Sequence, residues 1–309
     1  MARDLRIVFM GTPDFAVPTL QTLVEHGYNV VAVITAPDKP AGRGQKLHQS
    51  PVKEYAVAQN IPVLQPTNLK SEAFLEELRS FQANLQVIVA FRMLPEVVWD
   101  MPELGSFNIH GSLLPQYRGA APINWAIING EKETGVTSFF LKHAIDTGDL
   151  IFQERVPILE DDDFGAVYEK LKYEGAKLAL RTVQAIARDE VKSQPQITTA
   201  ETKHAPKLYK ETCEINWNQP APQVRNFIRG LSPYPAAWTR LNGKTFKIFK
   251  TEVLENITYS SAPGQIHTDN KTYLHVQTAT GAIAVLDLQM EGKKRMPVQD
   301  LLRGYSFNG

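Results

Sequence analysis

The chain has 309 residues, 43% hydrophobic and 21% charged, with 33 Lys/Arg balanced by 33 Asp/Glu and a single cysteine. That length exceeds what one hydrophobic core usually supports, so two domains are expected. A lone Cys213 excludes an intramolecular disulfide and a cysteine-built zinc site, and the N-terminal apolar run is too short for a signal peptide or membrane helix, so a cytoplasmic protein is expected.

Apolar runs at 5–10, 30–35, 85–91, 107–110 and 136–141 predict strands, several of them continuous enough to be buried on both faces. Between them, helical periodicity marks 18–26, 51–59, 71–81 and 121–129, with Ser50 and Ser71 in N-cap positions. This alternation predicts an α/β fold with a doubly wound, mostly parallel, Rossmann-like sheet. A long helix is predicted at 164–189, opened by the acidic run 160–163. The polar stretch 190–207 has no sustained period and predicts a linker. Short alternating segments at 244–253, 272–280 and 282–290 follow, divided by turn signals at Asn242-Gly243, Pro263-Gly264 and Thr280-Gly281. They predict a second, smaller OB-like β-barrel. The expected division is a catalytic domain at 1–189, the linker, and a C-terminal domain at 208–309. Residues 206–309 carry 13 Lys/Arg against 8 Asp/Glu, leaving 20 against 25 for the rest, so the C-terminal part is the basic one.

Gly11-Thr12-Pro13 follows the first strand, where a dinucleotide-binding fold places its loop. With one glycine in place of G-x-G-x-x-G, a nicotinamide-dependent dehydrogenase is demoted. The segment PDKPAGRGQKLHQSP at 37–51 carries Lys39, Arg43 and Lys46 and is long for an α/β connection. It reads either as an ordinary surface loop or as a basic finger that meets phosphates. In SFNIHGSLLPQYRGAAP at 106–122, strand alternation puts Asn108 and His110 on one face. Asp146, in HAIDTGDLI, sits in a turn just past a predicted strand. Taken singly they read as a cap, a satisfied core histidine and a turn former. Together at neighbouring strand ends they supply a donor, a base and an anion, the parts needed where a carbonyl becomes a tetrahedral oxyanion. Lys293, Lys294 and Arg295 read equally as a phosphate patch or a solvated turn. The seven histidines show no metal-ligand spacing, and no metal is expected.

NIHGSLLPQYRGAAPINWAIINGEKETGVT, with DTGD downstream, GTPDFA at the start and PAGRGQKL in the early loop, resembles the folate-dependent formyltransferases, and among them the branch acting on methionyl-tRNA. FIRGLSPYPAAW, APGQI and GKKRMPVQDLL extend the resemblance across nearly the whole chain. The resemblance implies transfer of a formyl group from 10-formyltetrahydrofolate to the α-amine of initiator methionyl-tRNA, with Asn108, His110 and Asp146 catalytic. It implies that Ser112, Leu113, Leu114 and Pro115 form the tetrahydrofolate loop and that Phe91, Arg92, Met93 and Leu94 line the pteridine pocket. Lys39, Arg43 and Lys46 would meet the acceptor end, with the barrel and Lys293, Lys294 and Arg295 on the phosphate backbone. A monomer, with no membrane contact, is expected. The segment AFRMLP at 90–95 is one residue shorter than the common form, and Lys142 and Ala144 stand where Asp and Gly are common. The alternative implied is formylation of a small amine such as glycinamide ribonucleotide. His143 is expected to be exposed and uninvolved.

Overall fold

The computed structural model describes residues 3–41, 46–255, 257 and 259–307. In chain order its strands are β1 (Arg6–Gly11), β2 (Asn29–Ile34), β3 (Lys39–Ala41), β4 (Lys46–His48), β5 (Val63–Leu64), β6 (Leu85–Val89), β7 (Ser106–His110), β8 (Arg118–Gly119), β9 (Glu133–Phe140) and β10 (Leu150–Pro157). The helices α1 (Val17–Glu25), α2 (Pro51–Ala58), α3 (Glu72–Ser80), α4 (Glu96–Trp99), α5 (Pro122–Ile128) and α6 (Phe164–Ala187) accompany them. Then come β11 (His204–Ala205), α7 (Ala221–Leu231), β12 (Ala237–Leu241), β13 (Lys244–Leu254), β14 (Ile266–Thr268), β15 (Leu274–Gln277), β16 (Ala282–Met290), β17 (Met296–Pro297) and α8 (Val298–Leu302).

The chain divides into two compact units. One contains Met1–Gly119, Thr134–Val156 and Tyr168–His204; the other contains Ala120–Glu133, Pro157–Val167 and Ala205–Gly309. In the first, seven strands lie in the order β10-β9-β7-β6-β1-β2-β5. From β7 to β5 all neighbours are parallel, and β9 runs antiparallel to β7. The expected mostly parallel sheet is thus present. β1, β2 and β6 are largely apolar because both faces are covered, whereas β7 carries Ser106, Asn108 and His110. Val8, Met10, Ala32, Ile34 and Ile88 share one face with Phe74, Leu75 and Leu78 of α3, whose i, i+1, i+4 spacing makes a single stripe.

Two helix starts are capped by side chains, and the Ser71 expected to cap a third does not. The Ser50 hydroxyl accepts from the Lys53 amide at 3.1 Å, and Asp163 caps α6 by accepting from the Ala166 amide at 2.8 Å. Ser71 takes the N-cap position but its hydroxyl donates to the Asn68 carbonyl at 3.1 Å, so the preceding turn claims it before the helix can. The strand expected to run to residue 91 stops at Val89, because Ala90 turns to φ +48°.

The second unit carries an antiparallel sheet in the order β12-β13-β16-β15-β14, with β17 on β16, curled into a half-barrel. Register shifts between Ile248, Lys250 and Thr251 bend β13 across β16. Its inner face, with Phe246, Ile248, Val276, Ile283, Val285 and Leu288, packs on Val224, Ile228 and Leu231 of α7. Periodicity had not singled out α7, although its buried positions 221, 224, 228 and 231 share one helical face.

Candidate active site

Open α/β sheets leave a crevice where their strands end, and β1, β6 and β7, adjacent and parallel, all end on the same side. Asn108 and His110 lie two apart near the end of β7 and so share a face. The Asn108 amide oxygen is buried without a hydrogen-bond partner. Leaving such an atom unpaired costs free energy, so it marks a group kept uncommitted.

His110 is 7% exposed, and its Nε2 lies 2.9 Å from the Tyr117 carbonyl oxygen. A carbonyl only accepts, so Nε2 carries the proton and a neutral ring presents its lone pair at Nδ1. Nδ1 faces Asp146 Oδ2 at 3.8 Å. That separation is too long for a hydrogen bond and right for an ion pair once Nδ1 is protonated. The Tyr117 carbonyl therefore orients the ring, and Asp146 supplies the charge beside it.

Asp146 stands in the turn between β9 and β10 at φ +54°, a left-handed conformation that Asp tolerates better than most residues. Its Oδ2 accepts from the Gly119 amide at 3.0 Å. A side chain at Gly148 would overlap the Phe140 carbonyl oxygen, so the turn needs glycine there. Lys142 pairs with Asp149 at 2.7 Å across the same turn. His143 is 76% exposed, pairs with Glu96 at 3.2 Å and meets the Trp99 ring edge-on, away from His110 in its contacts as expected. Gln196 donates to the Asp146 and Gly148 carbonyls at 2.8 Å each and accepts from Arg118 Nε and Nη2 at 3.1 and 2.6 Å. Burial lowers the Arg118 pKa, and the Asp146 charge works against that shift.

The loop after β7 is held through one hydroxyl. Thr137 Oγ1 donates to the Ser112 carbonyl at 2.6 Å and accepts from the Leu114 amide at 3.1 Å and from Gln153 Nε2 at 3.0 Å. Gln153 also donates to the Leu114 carbonyl at 2.8 Å. Ser112 is fully buried and its hydroxyl donates to the Gln116 carbonyl at 2.6 Å, so it shapes the loop from within. Leu114 is buried, while Leu113 and Pro115 are half-buried. In the segment after β6, Phe91 and Leu94 pack on the core, Met93 is 71% exposed, and Arg92 donates to the Pro66 and Thr67 carbonyls beneath its own contact with the Phe91 ring. Arg92 makes these contacts while remaining exposed.

Of the expected phosphate contacts, Lys39 is exposed in the β3–β4 hairpin; Arg43 and the side chain of Lys46 lie outside the described residues. Lys293 and Lys294 are exposed, whereas Arg295 pairs with Asp287 at 2.7 Å and covers the Phe249 ring. Among the described residues no group of three or more His, Cys, Asp or Glu could hold a metal. Tyr117, Thr137, Gln153 and Gln196 went unread in the sequence. Only their contacts across long sequence separations reveal them.

Residues 5–183 match the formyl transferase model, and 207–306 match the formyl transferase C-terminal domain model. A methionyl-tRNA formyltransferase of Bacteroides fragilis is 57% identical over 310 residues, covering 98% of this chain and 95% of that relative. Among solved structures, the sugar 3N-formyl transferase WlaRD, in the presence of dTDP and 5-N-formyl-THF, superposes with a TM-score of 0.69 at 22% identity over 94% of this chain and 100% of its own. HypX from Aquifex aeolicus, in complex with tetrahydrofolic acid, superposes with a TM-score of 0.66 at 18% identity over 97% of this chain, which spans 47% of HypX. These two structures share the fold. With both domain models matched in order and a relative more than half identical over nearly its whole length, the chain belongs to the formyl transferase family, among its methionyl-tRNA formyltransferases.

Proposed function

We propose that this protein transfers the formyl group of 10-formyltetrahydrofolate to the α-amine of methionine on initiator tRNA. The observation that carries the reading is a relative 57% identical over 98% of this chain, named for formyl transfer to methionyl-tRNA. Asn108, His110 and Asp146 at the strand ends support it. A small amine as acceptor is disfavoured because relatives 48–59% identical over nearly the whole chain are named for methionyl-tRNA, whereas the sugar 3N-formyl transferase that also spans most of this chain is only 22% identical.

The attacking amine must be neutral, and an α-amino group with a pKa near 8 supplies a useful neutral fraction at physiological pH. On this reading the Asn108 side-chain Nδ2 donates to the formyl oxygen as it gains charge, while its Oδ1, unpaired in the protein, can only accept. His110 Nδ1 exchanges the proton of the adding amine, and Asp146, 3.8 Å away, balances the resulting imidazolium. The proton taken up at Nδ1 then moves by way of Asp146 and water to the departing folate nitrogen, which restores the neutral ring and the carboxylate. Ser112, Leu113, Leu114 and Pro115, with the 91–94 segment, would hold the folate. Because Ser112 is fully buried and bonded within the loop, it would act through the loop's shape rather than by polar contact.

Residues 1–189 would then form the catalytic domain, 190–207 the linker, and 208–309 the tRNA-binding domain. Lys39, Arg43 and Lys46 would meet the acceptor end, with Lys293 and Lys294 on the phosphate backbone and Arg295 bracing their turn. The protein would work in the cytoplasm, where charged initiator tRNA is used, and as a monomer. No helix among the described residues is long and apolar enough to cross a membrane.

The test is to incubate the protein with 10-formyltetrahydrofolate and methionyl initiator tRNA, methionyl elongator tRNA or glycinamide ribonucleotide, beside His110→Ala. Transfer confined to the initiator tRNA and lost in the variant is expected. Transfer to glycinamide ribonucleotide, or none above the variant, would overturn the reading.

A further inference from the structure

Asp146 is held by more than its own turn. Its conformation at φ +54° exposes the Asp146 and Gly148 carbonyls on one side of the turn, and a single amide, Gln196 Nε2, donates to both at 2.8 Å. Gln196 comes from the stretch expected to be a linker, 50 residues further along. Backbone pairing brings it there: Leu150 and Gln194 exchange both amide hydrogens, at 2.8 and 2.9 Å, at the start of β10. The other end of the Gln196 amide is fixed by Arg118, and the residue after Arg118 is Gly119, whose amide donates to Asp146 Oδ2 at 3.0 Å. The contacts close a ring in which the carboxylate and the backbone of Asp146 are each tied to 118–119.

From this ring we infer that Gln196 is a positioning residue for formyl transfer, setting the distance between Asp146 and His110. The inference rests on the reading that Asp146 acts in the reaction. Gln196 touches neither His110 nor the reacting atoms on this assignment; it acts through the turn. The amide is needed at both ends. A carboxylate at 196 would keep the Arg118 contact but would face two carbonyls with no hydrogen to donate. An alanine would free both carbonyls and let the left-handed turn relax.

A shift of about 1 Å between reacting groups costs roughly a hundred-fold in rate, and a partial relaxation costs less. Gln196→Ala should therefore lower kcat by roughly ten- to a hundred-fold while KM for 10-formyltetrahydrofolate and for methionyl initiator tRNA stay within about two-fold. Gln196→Glu should lose at least as much. Gln194→Ala, whose exposed side chain leaves the backbone pairing intact, should match wild type.

A double-mutant cycle separates positioning from general support. In an Asp146→Asn background the Gln196→Ala change should have no further effect on kcat, because the group it positions is gone. Full additivity, or a Gln196→Glu variant as active as wild type, would overturn the inference. An Asp146→Asn variant with wild-type kcat would instead overturn the assignment of Asp146 on which the inference stands. A rise in both KM values with unchanged kcat would make Gln196 a binding support and would overturn it as well.

Discussion

Thr137→Val tests whether one buried hydroxyl organises the loop expected to bind folate. Valine keeps the shape of threonine and removes only the oxygen that three groups share: the Ser112 carbonyl at 2.6 Å, the Leu114 amide at 3.1 Å and Gln153 Nε2 at 3.0 Å. Thr137 is fully buried, so water does not replace the lost partner. Gln153 retains the Leu114 carbonyl, which leaves one backbone amide and one backbone carbonyl newly unpaired. Each such group costs about 1–3 kcal/mol, so the expected loss of folding free energy is about 2–4 kcal/mol after local relaxation. The loop should also loosen before the fold does. KM for 10-formyltetrahydrofolate is expected to rise roughly ten-fold, equivalent to about 1.4 kcal/mol, with KM for the tRNA unchanged. Urea unfolding at constant m-value and initial rates with each substrate varied in turn measure both effects. A stability change under about 0.5 kcal/mol would refute the hydroxyl's role as a hub. Equal rises in both KM values would refute its connection to folate.

Asn108→Ala should cost roughly 10²–10³ in kcat while changing unfolding free energy little, because the amide oxygen it removes is already unpaired. A stability loss of about 2 kcal/mol or more in denaturation would show that the free protein relies on that amide. Burial of Asp14 tends to raise its pKa, but hydrogen bonds from Tyr168 and Lys172 together hold it below the ordinary 3.8. A carboxyl depressed in the folded state stabilises above its unfolded pKa and loses that contribution as pH falls through the folded value. Tyr168→Phe should therefore lower Tm at pH 6 by more than at pH 3; a constant difference across that range would contradict the assignment. Lys53 bonds to Asp38 at 2.5 Å and to Gln65 at 2.8 Å at the root of the β3–β4 hairpin. Lys53→Met should raise KM for methionyl initiator tRNA several-fold with KM for 10-formyltetrahydrofolate unchanged, and a matching rise in the folate value would sink the link between hairpin and tRNA.

What could be read from the sequence depended on where each residue's partners lie. The strand at Ser106–His110 was legible because Phe107 and Ile109 are apolar and lie on one face, which leaves Asn108 and His110 conspicuous on the other. Asp146 was legible from turn chemistry, since Thr-Gly-Asp follows it directly. Its left-handed backbone was not, because that depends on the Gly119 amide 27 residues away and on Gln196 50 residues away. Thr137 was hidden inside an apolar strand, where a hydroxyl reads as a β-branched filler. Helix α7 carries its apolar residues at helical spacing, yet Pro220, Pro222 and the polar residues between disguise the stripe. The contacts of Arg92 with the Pro66 and Thr67 carbonyls and of Arg295 with Asp287 could not be read from the sequence, because the resemblance names the segments and not the partners their side chains find in the fold.

The site lies where regular backbone pairing stops, and that location has a physical consequence. Tyr117 at φ +60° and Asp146 at φ +54° both occupy the left-handed region, which is costly for a residue with a side chain. Each is pinned by contacts to segments remote in sequence: Tyr117 through its amide to the Lys203 carbonyl at 2.7 Å, and Asp146 through Gly119 and Gln196. The Tyr117 carbonyl then orients His110 and the Asp146 carboxylate flanks it. Two strained residues thus converge on one imidazole. Neither conformation would persist on local preference, so the stretch 194–203 contributes to the geometry at His110 indirectly, through Tyr117 and Asp146. A chain cut before that stretch would keep Asn108, His110 and Asp146 in its sequence and lose the bonds from Gln196 and Lys203 that hold their relative positions.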